Sequence, residues 1–94
     1  MAKIQILQLN YSPELHYHRF SPWEWLEKYN LKFDMNNYHK VYEYESDDTD
    51  LDNIYIKFQG VKPEGYTDVS VSISDLIKIN EDTYYVDDWG FKKI

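Results

Sequence analysis

Residues 69–94, VSVSISDLIKINEDTYYVDDWGFKKI, decide how this chain is built. Apolar side chains at Val69, Val71 and Ile73 alternate with serines, the period-2 signature of a half-buried strand. The alternation resumes at Ile77 and Ile79 after Ser74-Asp75, and again at Tyr84 and Val86 after Asn80-Glu81-Asp82. Gly90 then releases the chain into Phe91-Lys92-Lys93-Ile94. The pattern predicts a meander of short antiparallel strands forming one wall of the core.

Pro63-Glu64-Gly65 is turn chemistry leading into that meander. Before it, Leu51, Ile54, Tyr55 and Phe58 fall at i, i+3, i+4 and i+7, one apolar stripe of a helix that Gly60 ends. Residues 38–45 alternate as a strand, with Tyr38, Tyr42 and Tyr44 on one face and mixed charge on the other. Ser21-Pro22-Trp23-Glu24 reads as a capping box, Ser21 and Glu24 each serving the other's N–H. Pro22 is suited to the first helical position. A helix over residues 22–29 follows, with Trp25, Leu26 and Tyr29 covering the sheet and Asn30 as a left-handed stop. Residues 3–9 are apolar on both sides and predict an interior strand. Residues 10–20, with Pro13, predict a loop. The expected fold is α+β: a single domain over residues 1–94, with a largely antiparallel sheet and two short helices on one face. Its order is β-α-β-α-β-β-β.

Ninety-four residues suit one domain with a modest core. Aromatic residues make up 18%, and each ring can bury roughly 150–250 Å², so a few of them can build that core. There is no cysteine, hence no disulfide framework and no thiolate chemistry. No apolar run approaches the ~20 residues that span a bilayer, and the first ten residues do not read as a signal peptide. A cytoplasmic protein is expected, without membrane partners. The net charge of −7 is unevenly placed: residues 1–42 hold 4 acids against 5 bases, residues 43–94 hold 13 against 5. An acidic half disfavours a phosphate-backbone footprint and suits a basic partner surface, or simply solubility.

Four segments together resemble the YodL-like family. They are Asn37-Tyr38-His39-Lys40-Val41-Tyr42, Leu51-Asp52-Asn53-Ile54-Tyr55-Ile56-Lys57-Phe58, Ser70-Val71-Ser72-Ile73-Ser74-Asp75-Leu76-Ile77 and Tyr84-Tyr85-Val86-Asp87-Asp88-Trp89-Gly90-Phe91. The similarity covers roughly residues 37–94. It implies a small domain of mobile elements and prophages of low-GC Gram-positive bacteria, found also beside antirestriction-type domains in polyvalent proteins. It supplies no catalytic residues.

Candidate chemistry is sparse. His16 and His18, with Glu14 on the same side of an extended segment, could offer three zinc ligands, but no fourth is evident and the pair reads as surface histidines. Ser70, Ser72 and Ser74 beside Asp75 lack the neighbouring base a nucleophile needs. They read as the solvent face of a strand, turned by an Asx hydrogen bond from Asp75. The acidic belt Glu43, Glu45, Asp47, Asp48, Asp50 and Asp52 has no intervening Lys or Arg. It is either a solvated helix entry or a partner-facing electronegative patch. Trp89, flanked by Asp87 and Asp88, either closes the base of the core or anchors an interface.

The sequence therefore predicts a non-enzymatic protein with no cofactor or metal. Its partner site would be Glu43, Glu45, Asp47, Asp48, Asp50, Asp52, Asp87, Asp88 and Trp89, docking on a basic protein surface such as a DNA- or RNA-binding enzyme. Anti-restriction or anti-CRISPR DNA mimicry is the sharpest version. The alternative is an accessory single-stranded nucleic-acid binder that uses exposed aromatics as stacking platforms, which the net charge disfavours.

Overall fold

The computed structural model describes residues 1–60, 62–66 and 69–94. Its strands are β1 (Ala2–Leu9), β2 (Tyr38–Ser46), β3 (Leu76–Ile79), β4 (Asp82–Val86) and β5 (Phe91–Lys93), and its helices are α1 (Trp23–Lys28) and α2 (Leu51–Lys57). All strand pairs are antiparallel, and the sheet order is β2-β1-β3-β4-β5. The α+β class, the element order and the interior place of β1 are as the sequence predicts.

Successive residues of a strand point to opposite faces, and this sheet buries both. Ile77 joins Ile4, Ile6 and Val86 in one core with Ile54 of α2 and Phe58 at its C-cap. Its neighbour Leu76 joins Tyr85 and Leu7 in a second core with Trp23 and Leu26 of α1. Each helix thus covers its own face, where the sequence pattern expected both on one. The reason is that β3 and β4 each carry an apolar side chain on both sides, so a single layer would leave Leu76 and Tyr85 in water. Tyr85 instead meets Trp23 edge to face, with centroids 5.1 Å apart.

A bulge in β2 divides the tyrosines that simple alternation puts together. Ile6 pairs with Tyr42 and Leu7 with Lys40, so Val41 is the extra residue. Tyr42 and Tyr44 pack on the α2 side, around Phe58. Tyr38 falls on the α1 side against Phe33.

The expected strand at residues 69–73 does not form. The Val69 carbonyl accepts hydrogen bonds from Gln8 Nε2 (3.1 Å) and the Tyr66 hydroxyl (2.6 Å), and the Val71 carbonyl accepts from Gln59 Nε2 (2.6 Å). Side chains satisfy the groups that a strand would have offered to a neighbour. The period-2 burial survives only at Val71, which is fully buried.

The capping box is likewise replaced. Ser21 Oγ donates to the Tyr17 carbonyl (2.6 Å), and the N-cap of α1 is Pro22. The open Trp23 N–H donates to Asp87 Oδ1 across 3.1 Å, so the β4–β5 turn caps α1. At the other end Asn30 does adopt the left-handed conformation (φ 55°). Leu31 N–H reaches back to the Leu26 carbonyl (2.7 Å) and Asn30 N–H to that of Glu27 (3.2 Å), the Schellman pattern. Of the three side chains expected on the sheet, Leu26 is buried there, Trp25 and Tyr29 are exposed, and Trp23 packs beside Leu26 in their place.

The α2 stripe folds as its spacing predicts, with Ile54 and Phe58 buried, and Gly65 (φ 86°) turns the chain where Pro63-Glu64-Gly65 predicts a turn. Phe58→Ala should cost about 3–5 kcal/mol, a large fraction of the 5–15 typical of a domain. An unchanged denaturation midpoint would contradict the packing of α2. Asp87→Ala should cost about 0.5–2 kcal/mol through the lost cap, whereas Glu24→Ala, whose carboxylate caps nothing, should stay within about 0.5 kcal/mol. Equal losses in urea denaturation would return the capping role to the local box.

Candidate functional site

The fold divides the acidic belt between the β2 edge and the entrance to α2. Tyr42 and Tyr44 face α2, so Glu43 and Glu45, which alternate with them, face the other way, along the β2 edge. Glu43 accepts from Gln5 Nε2 (2.7 Å) and Lys40 Nζ (3.0 Å), and these two contacts hold its carboxyl below the usual range. Asp48 and Asp50 are tied up at the entrance to α2. Asp50 Oδ1 accepts the Asn53 N–H (3.1 Å) as N-cap, while Asp48 accepts the Asp50 N–H (3.0 Å) and Asn53 Nδ2 (3.2 Å). Asp47 is exposed, 3.6 Å from the Met1 amino nitrogen.

Asp52 stands apart from these. From the first turn of α2 it lines a groove of about 230 Å³ together with Asp87 and Asp88 of the β4–β5 turn, over a floor that includes Tyr55 and Phe91. Those rings meet at 6.3 Å, joining α2 to β5. The turn is closed by Asp87 N–H donating to the Gly90 carbonyl (3.0 Å), with Gly90 at φ 78°. Asp87 Oδ1 also accepts the Asp88 N–H (2.9 Å), and Asp88 Oδ1 accepts the Trp89 N–H (2.9 Å). Trp89 sits on this braced turn with 91% of its surface exposed, so it does not close the core. The fold therefore gathers Asp52, Asp87, Asp88 and Trp89, and leaves Glu43 and Glu45 on the far edge strand.

A second concavity was not singled out by sequence reasoning. About 460 Å³ in volume, it is lined by His16, Tyr17, Arg19, Trp25, Tyr29 and Leu31, with Ser21 beside them. The signal available was the i, i+4 pair Trp25–Tyr29 on a helix whose inward positions are Trp23 and Leu26. Among the described residues, no three His, Cys, Asp or Glu side chains come together as metal ligands, and no helix is long and apolar enough to cross a membrane.

The serine candidates are architectural. Ser74 is buried and left-handed (φ 83°), its Oγ accepting the Phe20 N–H (3.0 Å). Asp75 is 7% exposed and does not make the expected Asx turn. Its Oδ2 accepts the Ser72 N–H behind it (2.9 Å) and Gln8 Nε2 (3.2 Å). Burial pushes its pKa up to about 7, and the hydrogen bonds from Ser72 and Gln8 with the Arg19 charge offset only part of that.

The model of the YodL-like domain matches residues 3–94, reaching β1 and α1 as well as the C-terminal segments that carry the resemblance. No curated protein and no solved structure matches the chain.

An acid whose folded pKa is raised binds more protons folded than unfolded between those two values. The stability Asp75 contributes is therefore fully present below about pH 4 and lost as pH rises through about 7. Asp75→Asn should flatten this loss, gaining on wild type in melting temperature between about pH 5.5 and 8. Parallel profiles for the two proteins would show that Asp75 ionises freely in the fold.

Proposed function

We propose that this chain, which belongs to the YodL-like domain family, is a non-catalytic binding protein that docks on a basic protein surface through Trp89 and the carboxylates beside it. The observation that carries this reading is the meeting of Asp52 with Asp87 and Asp88 around one groove, next to a tryptophan that is almost wholly in water. The turn that carries Trp89 is braced by hydrogen bonds, so its backbone has little freedom left to lose when a partner covers the ring, and Trp is among the commonest interface anchors. Carboxylates around it speed encounter with a positive surface and discriminate against acidic ones. Glu43, Asp48 and Asp50 are engaged in internal hydrogen bonds, Asp47 lies beside the Met1 amino group, and Glu45 is on the opposite edge strand, so the reading rests on Asp52, Asp87 and Asp88. The net charge of −7 supports a basic partner. A nucleic-acid-handling enzyme, with Lys and Arg spaced to hold phosphates, is the partner class that fits, and the mobile-element setting that the family resemblance implies favours an enzyme of host defence.

The test is capture from a Gram-positive lysate with wild type, Trp89→Ala and the pair Asp52→Asn/Asp88→Asn, followed by binding kinetics on the captured protein. Trp89→Ala should weaken binding by about 2 kcal/mol or more while leaving stability within about 0.5 kcal/mol. The amide pair should slow association and remove much of its salt dependence. Binding indifferent to Trp89 would remove this surface from the function.

A further inference from the structure

The concavity beside α1 inverts the character of the protein around it. In a chain of net charge −7, the described residues lining it include no carboxylate, one guanidinium and one imidazole. Its aromatic lining comes as two edge-to-face pairs from separate segments. Trp25 and Tyr29 of α1 lie 5.6 Å apart at 63°, and His16 and Tyr17 lie 5.3 Å apart at 76°. We propose that this is a mononucleotide pocket, in which the base stacks on the Trp25–Tyr29 corner and the phosphate is held by Arg19 with His16.

Three features support it. The volume of about 460 Å³ lies within the 300–1,000 Å³ of small-molecule sites. Arg19 donates one N–H to the Asn10 carbonyl (3.0 Å), lies over the Tyr11 ring (5.1 Å) and bears on Asp75 with its charge, contacts that steady the guanidinium; a phosphate would take donors of its fork beyond the one given to Asn10. The wall is also anchored in the fold. Ser21 Oγ donates to the Tyr17 carbonyl, Ser21 N–H to that of His18 (3.2 Å), and Tyr85 O–H to that of Ser21. Between them Phe20 is held at φ 62°, a conformation rare for a bulky residue, by its N–H bond to Ser74. The same ring set without Arg19 would suit a quaternary ammonium, and the guanidinium excludes that guest. One guanidinium in the lining, with the Lys28 ammonium over the Tyr29 ring (5.6 Å), suits one phosphate, where a tracked strand needs a row of cations. The site lies on the α1 face and does not depend on the acidic groove on the other side of the sheet.

Calorimetric titration of the whole protein with the four common 5′-monophosphates, with adenosine and with ribose 5-phosphate tests the assignment. At least one nucleotide should bind more tightly than either fragment. Trp25→Ala should weaken it about 5- to 100-fold, and Arg19→Gln should reduce 5′-AMP to the affinity of adenosine. Trp25 and Arg19 are both partly exposed, and unchanged melting temperatures would verify that the variants fold. The proposal is overturned if no 5′-monophosphate binds at millimolar concentration or if Trp25→Ala binds as wild type does. It also falls if tetramethylammonium is preferred, or if oligo(dT) binds far more tightly with a steep salt dependence.

Discussion

The structure depends on the burial of β3 from both sides. Four residues long, this central strand carries Leu76 into one core and Ile77 into the other, and neither exposes any surface. A helix on one face alone would leave the opposite row of apolar side chains in water, at roughly 1.5–3 kcal/mol for each large one. The chain therefore sends α1 and α2 to opposite faces, although both are only about two turns long. Helices that short are unstable alone and exist here through the apolar faces they bury.

That arrangement positions both candidate surfaces. On the α2 side, Tyr55 against Phe91 carries the start of the helix to the β4–β5 turn, and so brings Asp52 to Asp87 and Asp88. On the α1 side, Leu26 and Trp23 take up the inward positions, which turns Trp25 and Tyr29 outward against the segment that holds His16, Tyr17 and Arg19. Asp87 connects the two. It lines the acidic groove, and its Oδ1 also caps α1 through the Trp23 N–H.

The amphipathic stripe of α2, the turn at Gly65, the interior character of β1 and the hairpin ending at Gly90 were legible in the sequence because local pattern decides them. Three features were set by distant contacts and were not. Ser21 and Glu24 have the spacing of a capping box, yet Asp87, 64 residues away from Trp23, supplies the cap. The serine-valine alternation at residues 69–73 looks like a strand, but Gln8, Tyr66 and Gln59 satisfy its carbonyls from elsewhere in the chain. The bulge at Val41 moves Tyr38 to the other face, and only the pairing with β1 reveals it. For the site, the residue types were visible and their grouping was not. Six clustered carboxylates read as one belt, while the sheet separates Glu43 and Glu45 from Asp52 and lets Asp48 and Asp50 spend their oxygens on α2.

The claim that β3 separates two cores is open to one direct measurement, methyl-to-ring and methyl-to-methyl nuclear Overhauser contacts from selectively labelled Leu76 and Ile77. Leu76 should show contacts to Leu26 and Tyr85, and Ile77 to Ile54 and Phe58, with neither residue sharing the other's helix. Contacts from both side chains to the same helix would place α1 and α2 on one face, and would contradict the separation on which the two surfaces rest.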